Sequence, residues 1–356
     1  MIALFQKRGF IGVDLGSQSV KVAQVQKVGN RTRLCAAAIA QRKRPFADSE
    51  TTLSNPRSSQ EEINSARVLS GSMGGGGAAC AVSMLLCDLR QLSISDGTDD
   101  EVQTMIEREL EVQGHGALLA QQFDYWDVRV PGEAHPPNEN LSVLSLATDW
   151  TEQIAEDLRK SRLRCMLING LPQALAYAIQ LSGQAVDEST AIVDWGHTCA
   201  TFVLVHLGRP IFVRQLRRCG LTKLLEAIAR ALEIAPDEAQ IILRKHGVVE
   251  ADSSDDLSQL LGKIVGGPMQ QIVEEINRTL VFLKSHRRVA AAKKVILTGG
   301  GAAVPNAAEY LDRYISVAVE PWHPSQLELS EDIDEDQSLA PFASSIALSS
   351  LAWVGS

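Results

Sequence analysis

Two stretches of this chain share one design, and they lie about half its length apart. Residues 10–25, FIGVDLGSQSVKVAQV, carry an apolar strand into Asp14-Leu15-Gly16, turn through Ser17, Gln18 and Ser19, and return as an alternating strand. Residues 191–205, AIVDWGHTCATFVLV, repeat that course through Asp194, Gly196, His197 and Thr198. Asp14 and Asp194 stand 180 positions apart in a chain of 356. Internal similarity on that scale predicts two duplicated lobes facing each other across a cleft.

The turns have a definite chemistry. A tight turn between strands aims consecutive backbone N–H groups at one point, and such a nest binds phosphate oxygens; glycine lets the backbone approach without a Cβ in the way. Gly16 and Gly196 supply the approach, while Ser17, Gln18, Ser19, His197 and Thr198 add donors. Lys21 either offsets phosphate charge or points to solvent. A carboxylate beside polyphosphate is repulsive unless a cation lies between them. Asp14 and Asp194 are therefore expected to hold Mg²⁺ through water, because that ion keeps much of its hydration shell. A third element, VILTGGGAAVP, reads as a strand, a turn at Gly299, Gly300 and Gly301, and a helix start. It would lay backbone against the sugar or base of a nucleotide.

The remaining patterning divides the chain into six segments. Residues 1–79 open the first lobe; within them 42–79, rich in Ser, Arg, Pro and Gly, read as a partly mobile loop with one helix near 61–69. Residues 80–148 read as an inserted β-α-β-β subdomain, with strands at 81–92, 123–130 and 141–147 and a helix at 99–112. Residues 149–186 resume the first lobe. Residues 187–220 form the second-lobe core and 221–290 its helical subdomain, with helices at 221–232, 236–245 and 268–285. Residues 291–356 are expected to complete the second-lobe core, closing on an apolar helix at 340–353.

A net charge of −9 argues against nucleic acid as the main partner, since phosphate-backbone binding draws on an excess of Lys and Arg. No apolar run reaches the roughly 18 residues of a membrane span, and the opening MIALFQKRGF has no apolar core of a signal peptide. Six cysteines without a C-x-x-C pair predict buried thiols in a reducing cytoplasm.

Over nearly its whole length the sequence resembles the actin/Hsp70/hexokinase superfamily, and within it the PilM family of type IV pilus assembly proteins, related to FtsA. The resemblance is carried by LFQKRGFIGVDLGSQSVKVAQV at 4–25, by VSMLLCDLRQLSISDGTDDEVQTMIERELEVQ at 82–113 with FDYWDV after it, and by LINGLPQALAYAI at 167–179. IVEEINRTLVFLKSHRRVAAAKKVILTGGGAAVPNAAEYL at 272–311 and APFASSIALSSLAWV at 340–354 complete it. The resemblance implies an α/β actin-like (ribonuclease H-like) fold of two duplicated lobes, with the inserted subdomain in the first. It implies ATP or ADP with Mg²⁺ as cofactors, and at most weak ATPase activity.

It further implies a cytoplasmic adaptor of a type IV pilus or type II secretion-like assembly platform, peripheral to the inner membrane through a partner. That partner would be the cytoplasmic N-terminal tail of a single-pass inner-membrane protein docked beside the inserted subdomain, with pilus motor ATPases as further partners. An FtsA-like division adaptor and a small-molecule kinase or ATPase of the superfamily stay open as alternatives.

Three departures from the family pattern stand out. The stretch AQIILRKHG at 239–247 has Gln240 and Leu243 where relatives carry Glu and Lys near the ribose. Asn169 stands where an acidic residue is usual, and GHGALL at 114–119 replaces an Ile-Pro-Phe-like turn. Among single residues, Trp195 is expected to point away from Asp194, into the core or an interlobe contact. Lys223 is expected in solvent or reaching toward the nucleotide, and Arg214, Arg217 and Arg218 as a solvated strand end, with contact to acidic lipid or a partner as the lesser reading.

Overall fold

Alternating apolar residues commit the opening of the chain to strands. The computed structural model describes residues 6–29, 31–46, 55–71, 73–113, 121–132, 140–248, 256–286, 291–334 and 337–353. In it β1 (Gln6–Arg8), β2 (Ile11–Leu15), β3 (Ser19–Val28) and β4 (Arg31–Gln41) begin a seven-stranded sheet. Val13, Val20, Val22 and Val25 are fully buried in it. Helix α1 (Gln60–Ser70) then leads to β5 (Gly77–Val82), parallel to β2.

The helix expected near 61–69 is present as α1, and the described residues on either side of it are packed in part, while 47–54 and 72 lie outside the described residues. Phe46 is buried edge-on against Trp150, with ring centroids 5.6 Å apart, and α1 buries Ile63 and Ala66 completely. The polar average of the segment conceals an apolar i, i+3 pair, which suffices to dock a short helix.

The strand expected at 81–92 divides. Residues 83–86 turn, with Leu86 N–H donating to Ser83 O at 3.0 Å. Beyond the turn, β6 (Cys87–Leu92) enters a separate three-stranded sheet, so 80–82 belong to the first lobe. After α2 (Asp99–Gln113), β7 (Gln121–Asp127) and β8 (Leu141–Ala147) complete that sheet in the order β6-β8-β7. Ile106 of α2 is buried with Leu92, Ile94, Leu141 and Val143 in a small core of its own. Helix α3 (Thr148–Lys160) returns the chain to β9 (Arg164–Gly170), parallel to β5 at the edge of the first sheet, and α4 (Leu171–Leu181) follows.

The second lobe repeats the start of the first: β10 (Thr190–Trp195), β11 (Ala200–His206) and β12 (Arg209–Leu216) run antiparallel. Helices α5 (Thr222–Leu232), α6 (Pro236–His246) and α7 (Asp256–His286) come next. Then β13 (Lys294–Thr298) pairs parallel with β10, and after α8 (Ala307–Tyr314), β14 (Ala318–Pro321) pairs parallel with β13. The helix expected at 268–285 is longer, and Pro268 lies inside it. Leu261, Val265, Met269 and Ile272 are buried on both sides of the proline, so one continuous packing stripe outweighs the breaker.

The closing segment does not stay with the second lobe, as 291–356 was expected to. β15 (Glu328–Leu329) pairs with β4, and α9 (Ala343–Ser350) lies on the first sheet. Small residues make this possible: a Cβ on Gly12 would stand 1.8 Å from Ser345 O, and Val25 N–H donates to Ser349 Oγ at 2.9 Å. The turn at 114–119, the acidic stretch at 252–255, Arg287, Arg288 and residues 354–356 lie outside the described residues.

Candidate functional site

The two hairpins are held rigid by different means. Around the β2–β3 turn, the Arg42 and Phe46 N–H groups donate to Gln18 O and Ser17 O at 2.8 and 2.9 Å. The Arg42 side chain donates to Gly16 O at 2.8 Å and to Ser59 Oγ at 2.9 Å, and its guanidinium lies 4.3 Å over the Phe46 ring. Burial pushes its pKa down to about 10, with Glu62 opposing, so it remains a cation at neutral pH. Around the β10–β11 turn, the start of α5 does the bracing: Leu221 and Thr222 N–H donate to Gly196 O and His197 O at 3.1 and 2.9 Å. Gly220 is needed there, because a Cβ would stand 2.3 Å from Thr198 O.

The hairpins meet at a cleft of about 470 Å³. Thr198 Oγ1 donates to Ser17 Oγ at 2.9 Å, joining the lobes. Asp14, Gly16, Ser17, Gln18, Ser19 and Lys21 line the cleft from one side; Asp194, Gly196 and His197 line it from the other. Lys21 does not point to solvent. Its Nζ lies 2.8 Å from Asp14 Oδ2, and Ser344 Oγ of α9 donates to the same oxygen at 2.9 Å. Burial works against the Lys21 charge, but the attraction of Asp14 and Asp194 outweighs it and its pKa is raised. Burial pushes the Asp194 carboxyl up to about 6; Lys21 pulls it down and Asp14 adds to the rise. Burial lowers the His197 pKa, so the ring is neutral at pH 7.

The three glycines of the third turn divide their tasks. Gly300 lines the cleft. Gly299, at φ 81°, makes room for Asp194, whose Oδ1 would be 2.4 Å from a Cβ there. Gly301 makes room for the Trp195 ring, 2.2 Å from where a Cβ would be. Trp195 is fully buried in the second-lobe core, away from the cleft.

These residues fit a metal–polyphosphate. Two carboxylates line this donor-rich cleft with one cation, Lys21, already held by Asp14, so the added charge of a polyphosphate would call for a further cation. Gln18 Oε1 is buried without a partner, and both turns are so tight that a Cβ on Gly16 or Gly196 would come within 2.9 or 2.8 Å of a carbonyl oxygen. Among the described residues no three His, Cys, Asp or Glu gather into a metal site. A cation held here would complete its shell with phosphate and water.

Residues 12–352 match the family model for the type IV pilus assembly protein PilM. The chain belongs to the PilM family. The solved PilM–PilN type IV pilus biogenesis complex aligns with 97% of this chain and 98% of that chain, at 20% identity and a TM-score of 0.75. The ethanolamine utilization protein EutJ from Carboxydothermus hydrogenoformans aligns over 96% and 89%, at 13% identity and a TM-score of 0.50. The fold is actin-like.

Against the PilM-family pattern, the departures fall in different places. Gln240 and Leu243 line the cleft, and so does Arg244, one position beyond the missing lysine. Arg244 is exposed on α6 and was not singled out in the sequence, where the run Arg244-Lys245-His246 looks like an ordinary charged helix end. Lys223 pairs with Glu226 at 2.9 Å on the surface and does not reach the cleft. Arg214 pairs with Glu275 and donates to Thr279, both at 2.6 Å, so it ties β12 to α7 and is not a solvated strand end.

Asn169 does not line this cleft at all. It lines a second cavity of about 530 Å³ between β9 and the inserted sheet, together with Phe123, Leu144, Met166 and Leu167. Its Oδ1 is buried there without a partner. Among the described residues of this PilM-family chain no helix is long and apolar enough to cross a membrane.

Proposed function

We propose that this PilM-family chain binds ATP–Mg²⁺ between its lobes and holds the cytoplasmic tail of a single-pass inner-membrane partner, as an adaptor of a type IV pilus assembly platform. The Thr198–Ser17 contact carries the reading. The two hairpins touch across the cleft, so whatever binds between them changes how the lobes close, and a ligand acting on that closure shifts a population without being consumed. Bound nucleotide brings phosphate charge and a divalent cation to the cleft. The backbone N–H groups of the two turns would hold phosphate oxygens, and Asp14 and Asp194 would hold the cation through water. Lys21 would divide its charge between Asp14 and phosphate. Leu221, Leu225 and Leu243 offer an apolar wall to a base, with Arg244 supplying a cation at the rim.

The second cavity supports the partner half of the reading. Strand β9 is an edge of the first sheet, and its own Met166 and Leu167 are 44% and 37% exposed. An extended tail can pair with such an edge and seat apolar side chains in the cavity, while Asn169 Oδ1 accepts a hydrogen bond from it. The decisive experiment measures ATP–Mg²⁺ binding and phosphate release separately, then titrates a membrane-protein tail peptide with and without nucleotide. We expect binding with negligible turnover and a tail affinity that depends on nucleotide. Partner-stimulated turnover, or a tail that ignores nucleotide, would overturn the proposal.

A further inference from the structure

The first sheet has two ends. The C-terminal ends of the parallel strands β2, β5 and β9 lie toward the hairpin and cleft, so their N-terminal ends lie at the opposite end of the lobe. The last turn of α1, just before β5, and the last turn of α3, just before β9, both reach that far end. Arg67 of α1 donates to Ser161 O after α3, and Arg164 N–H donates to Gly76 O, which fixes the two connections side by side.

Val68 and Leu69 project from α1 at 80% and 68% exposure. Close by, Arg159, Lys160, Arg162 and Arg164 are all exposed. One carboxylate answers them: Glu156 pairs with Arg159 at 2.7 Å and Lys160 at 3.4 Å. Among the described residues, Arg162 and Arg164 have no carboxylate partner. In a chain of net charge −9 this is a marked segregation of positive charge.

We infer that this end of the first lobe rests directly on an anionic lipid surface. Cations beside exposed aliphatic side chains are what a membrane interface takes up: guanidinium groups meet lipid phosphates, and the aliphatics enter the headgroup–acyl boundary. A segment of acidic residues alone would answer the arginines and leave Val68 and Leu69 in water. The lipid interface answers both. Met166, at the start of β9, also lines the second cavity, so that cavity lies beside this surface, within a short path of a tail leaving the membrane. The inference goes beyond the adaptor reading and needs neither nucleotide nor a partner.

The test is flotation of the full chain, with no partner present, on vesicles of phosphatidylcholine alone or with about a third phosphatidylglycerol. Binding is expected only with the anionic lipid and should be lost at about 0.5 M salt. Arg162→Glu with Arg164→Glu should lower vesicle affinity at least about tenfold. Val68→Ser with Leu69→Ser should also weaken it at low salt, with Tm and nucleotide binding unchanged in both variants. Equal binding to both vesicle types, binding to neither, or variants that float like the parent would overturn the inference. Capture of an acidic peptide without vesicle binding would overturn it in favour of a protein partner.

Discussion

Thr198 Oγ1 and Ser17 Oγ, 181 positions apart in sequence, lie 2.9 Å apart at the point where the two phosphate-type turns meet. With Thr198 Oγ1 also 3.3 Å from Phe46 O, this hydroxyl ties the second turn to the first across the cleft.

Thr198→Val keeps the shape of the side chain and removes the donor. Loss of the bond should lower stability by about 1 kcal/mol, the usual net worth of one hydrogen bond. Thermal melts without nucleotide will read that loss, and titration of ATP–Mg²⁺ should show an altered affinity as closure becomes easier to vary.

Asp194→Asn should stabilise the nucleotide-free protein at neutral pH. The carboxyl is held up to about 6 in the fold against 3.8 ordinarily, so its ionised form is disfavoured on folding. The penalty is absent below about 3.8, grows as pH rises, and is complete above about 6, where it amounts to roughly 3 kcal/mol. Denaturant midpoints should therefore separate at pH 7 and coincide near pH 4. The same variant should bind ATP with little dependence on Mg²⁺, whereas chelating Mg²⁺ should weaken the parent at least about tenfold.

Gly301→Ala and Gly300→Ala, neighbours in sequence, should fail in different ways. A methyl on Gly301 meets the buried Trp195 ring at 2.2 Å, an overpacking that costs about 1–3 kcal/mol. On Gly300 it meets only the tip of Leu221 at 3.3 Å and projects into the cleft. Melting temperature should fall chiefly in the first variant and nucleotide affinity chiefly in the second.

Arg244→Ala should weaken ATP binding about tenfold, the scale of one charge-assisted hydrogen bond. Lys223→Ala should leave affinity unchanged, since Lys223 is paired with Glu226 away from the cleft. Both side chains are exposed, so melts of both variants should match the parent. Isothermal titration of the two side by side checks the assignment.

Much of the cleft was legible beforehand because its signals are local. Asp14, Gly16, Asp194 and Gly196 belong to short strand–turn–strand patterns whose period and glycines can be read within a dozen residues. Gly299 and Gly301 were legible as a turn but not in their purpose, which depends on Asp194 and Trp195 lying one strand away. Arg42 is hidden in a segment whose composition reads as loop, and nothing beside Asn169 in the sequence shows that it lines the second cavity. Neither has a neighbour in sequence that reports its surroundings.

By itself, then, the sequence determined the strands, the turns and the duplication, because β-alternation, glycine conformation and helix stripes are properties of neighbouring residues. Tertiary structure alone decided which distant groups complete them. Ser344 reaches Asp14 across 330 positions, Arg42 locks the turn at Gly16, and the closing helix leaves the second lobe for the first sheet. Those contacts depend on small side chains and buried polar groups finding partners far along the chain, and burial of a polar group imposes that requirement only once the lobes have packed.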